Sequence, residues 1–311
     1  MNNKIKLIGE SLRSKKLAML LYYAKFGNFY SDEEYLRKVF PLHMGYELDL
    51  DNPKTFSEKL QWLKLYNRDP KYVKMVDKIE AKKYVASIIG EEYVVPTYAT
   101  YNDVSEIDFD ALPDQFVLKT THAGGSVGVV ICHDKTTFDK KAALNNLSIA
   151  MKRDHSKLGR EWVYSKIKPR IIAEQLLEVK TNNAGDIYDL PDYKFFCFDG
   201  KVKALFVGSE RQTGNVKFDF FDEDFNHLDF IQGHPNLGRC IPKPTRFDQM
   251  KELAEKLSKG LPHARIDLYD TGNNIYFGEI TFFHFSGFTP FEPKEWDYTF
   301  GSWITLPNKR I

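Results

Sequence analysis

Lys119-Thr-Thr-His-Ala-Gly-Gly-Ser-Val-Gly128 joins two short β-rich runs, Gln115-Phe-Val-Leu-Lys119 and Val127-Gly-Val-Val-Ile-Cys132. A strand that ends in lysine and re-enters a strand through small residues suits an anion. Glycines let backbone N–H groups come close and tolerate positive φ, and the lysine adds a point charge. No Gly-Lys-Ser/Thr follows and no helix opens after the loop, so it is not a Walker A loop, and it lacks the dinucleotide-binding fingerprint. Taken alone, the stretch reads equally well as an ordinary hairpin.

Towards the C-terminus lies a second pattern, Arg265-Ile-Asp267 and Gly278-Glu279-Ile-Thr281, on two strands joined by Asp270-Thr-Gly-Asn-Asn274. Alternation puts Arg265, Asp267 and Tyr269 on one face, and Glu279 and Thr281 likewise share one. If those faces meet, two carboxylates and a hydroxyl converge, a set suited to Mg²⁺, with Arg265 beside them for an oxyanion or phosphoryl group. The alternative is a surface hairpin whose ion pairs are worth about 0–1 kcal/mol.

Between and before these patterns the texture is mixed. Residues 32–40 predict a helix after a Ser31 cap, and 55–65 a second helix in which Ser57 rivals Thr55 as cap. Tyr72 to Ile89 reads as one amphipathic helix stopped by Gly90. Strands are predicted at 94–101 and 170–174, helices at 139–152 and 247–259. Residues 193–198 and 201–207 form a hairpin around Asp199-Gly200. Strand pairs and helices without strict alternation favour an α+β fold.

At 311 residues, 42% apolar and 28% charged, the chain can build a substantial core. Lys and Arg number 44 against 43 acids, which argues against a nucleic-acid partner. Cys132, Cys197 and Cys240 are odd in number and widely spaced, so neither a disulfide framework nor a zinc site is expected, and a reducing, cytoplasmic compartment is. Residues 1–26 carry six basic residues against Glu10, around the apolar run Leu17–Ala24. That run is too short to span a bilayer. It reads as a helix packed on its own domain or as a weak peripheral contact with the inner face of an anionic membrane.

In sequence order, Asp77-Lys78, Lys119 with Gly124-Gly-Ser-Val-Gly128, Glu174-Gln-Leu-Leu177, Asp192-Tyr-Lys194, Arg265-x-Asp267 and Glu279-x-Thr281 resemble the ATP-grasp superfamily. The Lys119 loop is similar to that of D-alanine–D-alanine ligases. Asn52-Pro-Lys-Thr-Phe-Ser-Glu-Lys-Leu-Gln-Trp62 and Tyr276-Phe-Gly-Glu-Ile-Thr-Phe-Phe283 look like the TupA-like branch, associated with teichuronopeptide and other surface-polysaccharide synthesis. The resemblance implies an ATP-grasp fold with a helical N-terminal region (1–70), a subdomain with the glycine-rich loop (71–175) and a C-terminal subdomain with the metal-binding strands (176–311). It implies ATP and Mg²⁺ as cofactors. Lys78, Lys119 and Lys194 would meet the phosphates, and the amides of Gly124, Gly125 and Ser126 would cover them as a lid. Glu174, Gln175 and Leu177 would belong to the adenine-reading hinge, and Arg265 would face the γ-phosphoryl group. Asp267 and Glu279 would ligate metal, with Thr281 where the family usually has Asn. The implied reaction is ligation of a carboxylate, on a sugar or amino acid, to an amine through an acylphosphate.

Other features offer rivals. Asp222-Glu-Asp224 is a D-x-D of the kind found in metal-dependent glycosyltransferases. His263-Ala-Arg265-Ile-Asp267 with Asn273 and Phe277-Gly-Glu279 loosely echoes a kinase, at the wrong spacing and without D-F-G. His122 reads as a substrate-facing group or an exposed loop histidine, Arg211 as a uronate clamp or a surface arginine. The aromatic run from Phe282 to Phe288, continuing to Trp296, reads as a sugar platform or as core.

Overall fold

Two capping boxes organise the start of the chain. The computed structural model describes residues 15–124, 127–157, 159–177, 190–210 and 214–309. Residues 15–26 are helical (α1). Helix α2 (Asp32–Met44) opens at Ser31, whose hydroxyl accepts from the Glu34 N–H while the Glu34 carboxylate accepts from the Ser31 N–H. Helix α3 (Phe56–Tyr66) opens the same way at Thr55 with Glu58. Ser57 is therefore not the cap. Its N–H and hydroxyl donate instead to Asp297 at 2.9 and 3.0 Å.

The single helix expected from Tyr72 to Ile89 is two, α4 (Lys71–Val76) and α5 (Glu80–Ile89). Asp77 between them is extended, and its carboxylate accepts from the Ile79 and Glu80 N–H groups at 2.9 and 3.3 Å. A short acidic side chain competing for backbone donors ends one helix and starts the next. The apolar spacing Tyr72, Met75, Val76, Ile79 runs on across the break, which hides it in the sequence.

Strands β1 (Thr97–Tyr101), β2 (Phe116–Thr120) and β3 (Val129–Cys132), helices α6 (Lys140–Met151) and α7 (Trp162–Ser165), and strand β4 (Ile171–Glu174) follow. The four strands form one sheet in the order β1-β4-β2-β3. Phe116, Leu118, Ile171, Ala173 and Leu147 of α6 make its separate core.

Next come β5 (Asp192–Phe198), β6 (Lys201–Ser209), β7 (Lys217–Asp222), β8 (His227–Leu228), β9 (Ile231–Gln232) and α8 (Phe247–Ser258). The chain ends with β10 (Ala264–Asp270), β11 (Ile275–Thr281), β12 (Phe291–Glu292) and α9 (Glu295–Trp303). Six of these strands form a second sheet, β11-β10-β5-β6-β7-β8, and β9 pairs with β12. Asp199 and Gly200 turn the β5–β6 hairpin with φ of 47° and 77°, the two positive values a twisted two-residue turn requires. Every pairing among the described strands is antiparallel, so the fold is α+β.

The large sheet is covered on both faces. Phe195 packs towards Phe247 of α8, and Phe196 towards Phe300 of α9 and Phe56 of α3. Helix α9 lies so close to the start of α3 that a Cβ on Gly301 would sit 2.2 Å from the Lys54 carbonyl oxygen and 2.7 Å from the Phe56 nitrogen. Backbone cannot yield as a side chain does. Gly301→Ala is expected to cost about 3 kcal/mol, read as a lower urea midpoint.

Acid should loosen this core. Burial pushes the His263 pKa down to about 3 and that of His155 to about 4, whereas both titrate near 6.5 in the unfolded chain. As pH falls through 6.5 the unfolded state binds protons that the folded state refuses, so stability falls until the folded pKa values are reached. Urea midpoints at pH 7.5, 6 and 5 should fall in that order.

Candidate active site

The break between α4 and α5 brings Lys78 to the small sheet, where its N–H donates to the Thr121 carbonyl at 3.3 Å and its ammonium to the Ala123 carbonyl. Lys82 lies one turn further on. Lys119, near the end of β2, and Glu174, at the end of β4, project into the same space. The Glu174 carboxylate accepts from Lys82 at 2.5 Å and from Lys119 at 2.7 Å. Burial alone would raise the pKa of Glu174, but the two lysines outweigh it and hold the carboxyl below its ordinary range. Burial lowers the pKa of Lys78 and of Lys82.

These groups line a cleft whose other wall is Phe277–Ile280 of β11. Met75, Val76, Val94, Val95 and Phe277 give it an apolar lining, so it offers a flat apolar surface beside a row of cations. Of the residues singled out in the sequence, Lys78, Lys119, Glu174 and Glu279 line it. Gln175 and Leu177 follow β4 outside this lining, and the Gln175 N–H donates to the Pro96 carbonyl at 3.0 Å.

The large sheet contributes a row across three strands. Asp267 of β10 stands opposite Lys194 of β5 on one side and Glu279 of β11 on the other, and Arg265 stands opposite Thr281. The guanidinium holds Asp267 through two bonds of 2.7 Å, reaches Glu279 Oε1 and Thr281 Oγ1 at 3.0 Å, and donates to His284 Nδ1 at 2.8 Å. That leaves the His284 proton on Nε2, 3.2 Å from Gln232 Oε1. The Lys194 ammonium donates to Asp267 and, at 2.7 Å, to Asp192. A bulge lets this row form: pairing shifts after Asp267, at Gly278, where a Cβ would lie 3.1 Å from the Asp267 carbonyl oxygen.

Burial opposes the charge on Asp267, yet Arg265 and Lys194 hold its pKa below the ordinary carboxyl value. Burial opposes the charge on Lys194 too, and Asp192 and Asp267 raise its pKa above the usual lysine value. Asp267 is 1% exposed in its side chain and Glu279 is 30%, so Glu279 is the carboxylate that reaches the cleft. Among the described residues no three His, Cys, Asp or Glu side chains converge as a metal set. Asp267, Glu279 and Thr281 offer only oxygen donors, which fits a hard cation that completes its shell with water and phosphate oxygens.

Other candidates fall elsewhere. Gly125, Ser126 and Arg211 lie outside the described residues, as does the loop expected at 181–186. Gly124 is described, with the Tyr164 hydroxyl 3.6 Å from where its Cβ would be. His122 is not an exposed loop histidine. It is 4% exposed, its ring 5.5 Å from that of His155. The D-x-D is a turn: one Asp222 oxygen accepts from the Asp224 and Asn226 N–H groups at 2.9 and 2.8 Å, the other from the Asn226 amide at 2.9 Å. His263 of the kinase-like stretch is buried among Phe56, Phe196 and Phe198, and Phe282 and Phe283 are core. Cys132, Cys197 and Cys240 are free. The sequence reading missed Lys82 and His284, and quoted Asp192 without giving it a role. Lys82 was legible one helical turn after Lys78, and Asp192 by alternation with Lys194.

Two antiparallel sheets closing on a basic, apolar-lined cleft belong here to a protein of the ATP-grasp class. A family model described as TupA-like ATPgrasp matches residues 58–305, most of the chain and both sheets, and the chain belongs to that family. Among solved structures it is similar to D-alanine–D-alanine ligase from Helicobacter pylori, with 13% identity, a TM-score of 0.44 and coverage of 83% of this chain and 68% of that one. For the Bacillus anthracis D-alanine–D-alanine ligase complexed with ATP the values are 16%, 0.36, 67% and 53%. For the ATP-grasp ligase PsnB complexed with a phosphomimetic variant of minimal precursor, Mg and ADP they are 13%, 0.39, 73% and 57%. The chain thus spans little more than half of the last two. No curated protein matches it.

Proposed function

We propose that the protein is an ATP-dependent ligase that joins a carboxylate to an amine, with a uronic acid or amino acid component of a bacterial surface polysaccharide as substrate. The observation that supports this best is the pairing of two charge networks across one cleft. Three lysines around Glu174 face Glu279, which belongs to the Arg265–Asp267–Lys194 row.

ATP would lie in the cleft with its base against the apolar lining and its phosphates among Lys78, Lys119 and Lys194. Arrival of the phosphates gives Lys119 and Lys82 a new counter-charge, so Glu174 is released to accept from the adenine amine, next to the backbone of Gln175 and Leu177. The amides of Gly124, Gly125 and Ser126 would cover the phosphates and exclude water from the acylphosphate. Asp267, Glu279 and Thr281 would hold Mg²⁺, which when bound neutralises phosphate charge. Arg265 orients the γ-phosphoryl group as the substrate carboxylate takes it and ADP leaves. An amine then attacks the acyl carbon and phosphate departs. Positioning and charge neutralisation account for most of the first step.

The test is release of ADP and phosphate from Mg·ATP with uronic-acid glycosides, nucleotide-uronates and amino acids, with products weighed by mass spectrometry. ADP and phosphate formed only when carboxylate and amine are both present, with a product lighter by one water, supports the ligase. A phosphorylated acceptor without free phosphate points to a kinase, and turnover of UDP-sugars in place of ATP overturns the reading.

The reaction belongs, on this reading, at the cytoplasmic face of the membrane. Among the described residues no helix is long and apolar enough to cross a bilayer. Helix α1 nevertheless presents Leu17 and Leu21, each more than half exposed, beside Lys15, Lys16 and Lys25, and Phe29 just beyond it is 85% exposed. Apolar side chains set among lysines suit anionic headgroups. The protein is expected to sediment with phosphatidylglycerol vesicles and not with phosphatidylcholine ones, and to be released by salt. Sedimentation unaffected by Leu17→Glu with Leu21→Glu would rule α1 out.

A further inference from the structure

Beyond β11 the chain makes an unusual turn. Phe285 (φ 48°, ψ 26°) and Ser286 (φ 57°, ψ 15°) are both left-handed, and Gly287 follows at φ 63°. Consecutive non-glycine residues in that region cost on the order of 1–3 kcal/mol each and persist only where their surroundings impose them. Here α3 imposes them. Gln61 Nε2 donates to the Ser286 and Gly287 carbonyls at 3.0 and 3.1 Å. The Lys64 ammonium donates to the Ser286 carbonyl at 2.7 Å, to its hydroxyl at 3.1 Å and to Gln61 Oε1 at 2.8 Å. Both side chains are fully buried.

What the turn fixes is a carboxylate. The Ser286 hydroxyl donates at 2.7 Å to Glu161 Oε1, at the start of α7. One turn on, the Tyr164 hydroxyl lies beside Gly124, at the edge of the glycine loop. Glu161 interacts with Lys64 from α3, Arg265 from β10 and Glu279 from β11, and Tyr164 with Glu161, Glu279, Arg265 and Asp267; Asp32 faces Lys64. The carboxylate thus lies within electrostatic reach of Arg265 and Glu279, on a support of buried, hydrogen-bonded groups.

Resting on the ligase reading, we infer that Glu161 receives the ammonium group of the acceptor and takes its proton, and that Lys64, Gln61 and Ser286 are positioning residues for it. An ammonium has no lone pair with which to attack. One N–H proton passes to the Glu161 carboxylate, which becomes a neutral acid. The freed lone pair forms the C–N bond as the C–O bond to phosphate breaks, and phosphate leaves with that electron pair. The second nitrogen proton leaves with phosphate, and Glu161 returns its own to solvent. Burial raises the pKa of Glu161 above the ordinary carboxyl value and brings that of Lys64 down to about 7, which makes the carboxylate a better proton acceptor than an exposed one.

Hydroxylamine separates this step from the rest, because it is largely uncharged at neutral pH and attacks an acylphosphate without a base. Wild-type protein with Mg·ATP, hydroxylamine and glucuronic acid, UDP-glucuronic acid or L-glutamate should release ADP and form a hydroxamate. Glu161→Gln should form hydroxamate nearly as fast, yet lose about 10²-fold in amide formation with an amino-acid amine and recover rate as pH rises. Ser286→Ala should shift the same ratio in the same direction by less. An unchanged Mg·ATP-induced rise in Tm would show that each variant is folded. Equal loss of hydroxamate and amide formation, or no loss of either, overturns the role of Glu161 and leaves the ligase standing. Absence of hydroxamate from wild-type protein with every carboxylate overturns both.

Discussion

Arg265→Met is expected to lower Mg·ATP-dependent ADP release by about 10²–10³-fold, the loss seen when one donor to developing negative charge is removed from a closed site. Arg265 is 8% exposed, and its guanidinium donors are shared among Asp267, Glu279, Thr281 and His284. Removing it does two things at once. It takes away the cation assigned to the transferring phosphoryl group, and it leaves Asp267 buried with Lys194 as its remaining cation. Breaking one partner from a buried pair costs about 3–5 kcal/mol, so the variant should also denature at lower urea. Arg265→Lys separates the two effects. It restores a positive charge without the planar fork, so stability should largely recover and turnover should not. A lysine variant with native turnover would remove Arg265 from the chemistry.

Asp267→Asn should be as damaging to turnover, about 10³-fold, although it changes the shape of the side chain hardly at all. An amide cannot accept from Arg265 and Lys194 together at both ends, and it is a poor ligand for a hard cation. The half-saturating Mg²⁺ concentration should rise, while ATP affinity measured without Mg²⁺ stays near native. Because Arg265 and Asp267 share two bonds, the double variant should lose scarcely more than the worse single one. Turnover of the Asn variant within a few-fold of native would make Asp267 a fold element only.

The hairpins were legible because their signals are local. Asp199-Gly200 between two apolar runs demands a two-residue turn, and the strand bearing Arg265 and Asp267 needs only its period of two to put both on one face. The register that sets Asp267 opposite Glu279 was not, because it depends on a bulge at Gly278 that alternation does not announce. Nor was the break at Asp77: the apolar face continues through it, and what stops the helix is one carboxylate bonding two N–H groups. His122 was misjudged as an alternative exposed residue because a loop between two strands reads as surface. The packing of α6 and the segment carrying His155 over that loop is long-range. Glu161 and Lys64 gave no signal, since an acid and a base nearly 100 residues apart become neighbours only through the Ser286 turn.

The pairing of Glu174 with Lys82 and Lys119 has a consequence for the crowded anion pool of a cell. Without it the cleft would be a bare row of ammonium groups, open to inorganic phosphate, sulfate or any small acid. With it, a lone anion must dislodge a buried carboxylate from two partners and offers that carboxylate nothing in return. A nucleotide brings several phosphate groups for the lysines and a base whose amine can occupy the carboxylate left behind. On the proposed reading Glu174 would be a gatekeeper that tests for both ends of one molecule, and the cleft should remain vacant in millimolar phosphate yet fill with ATP.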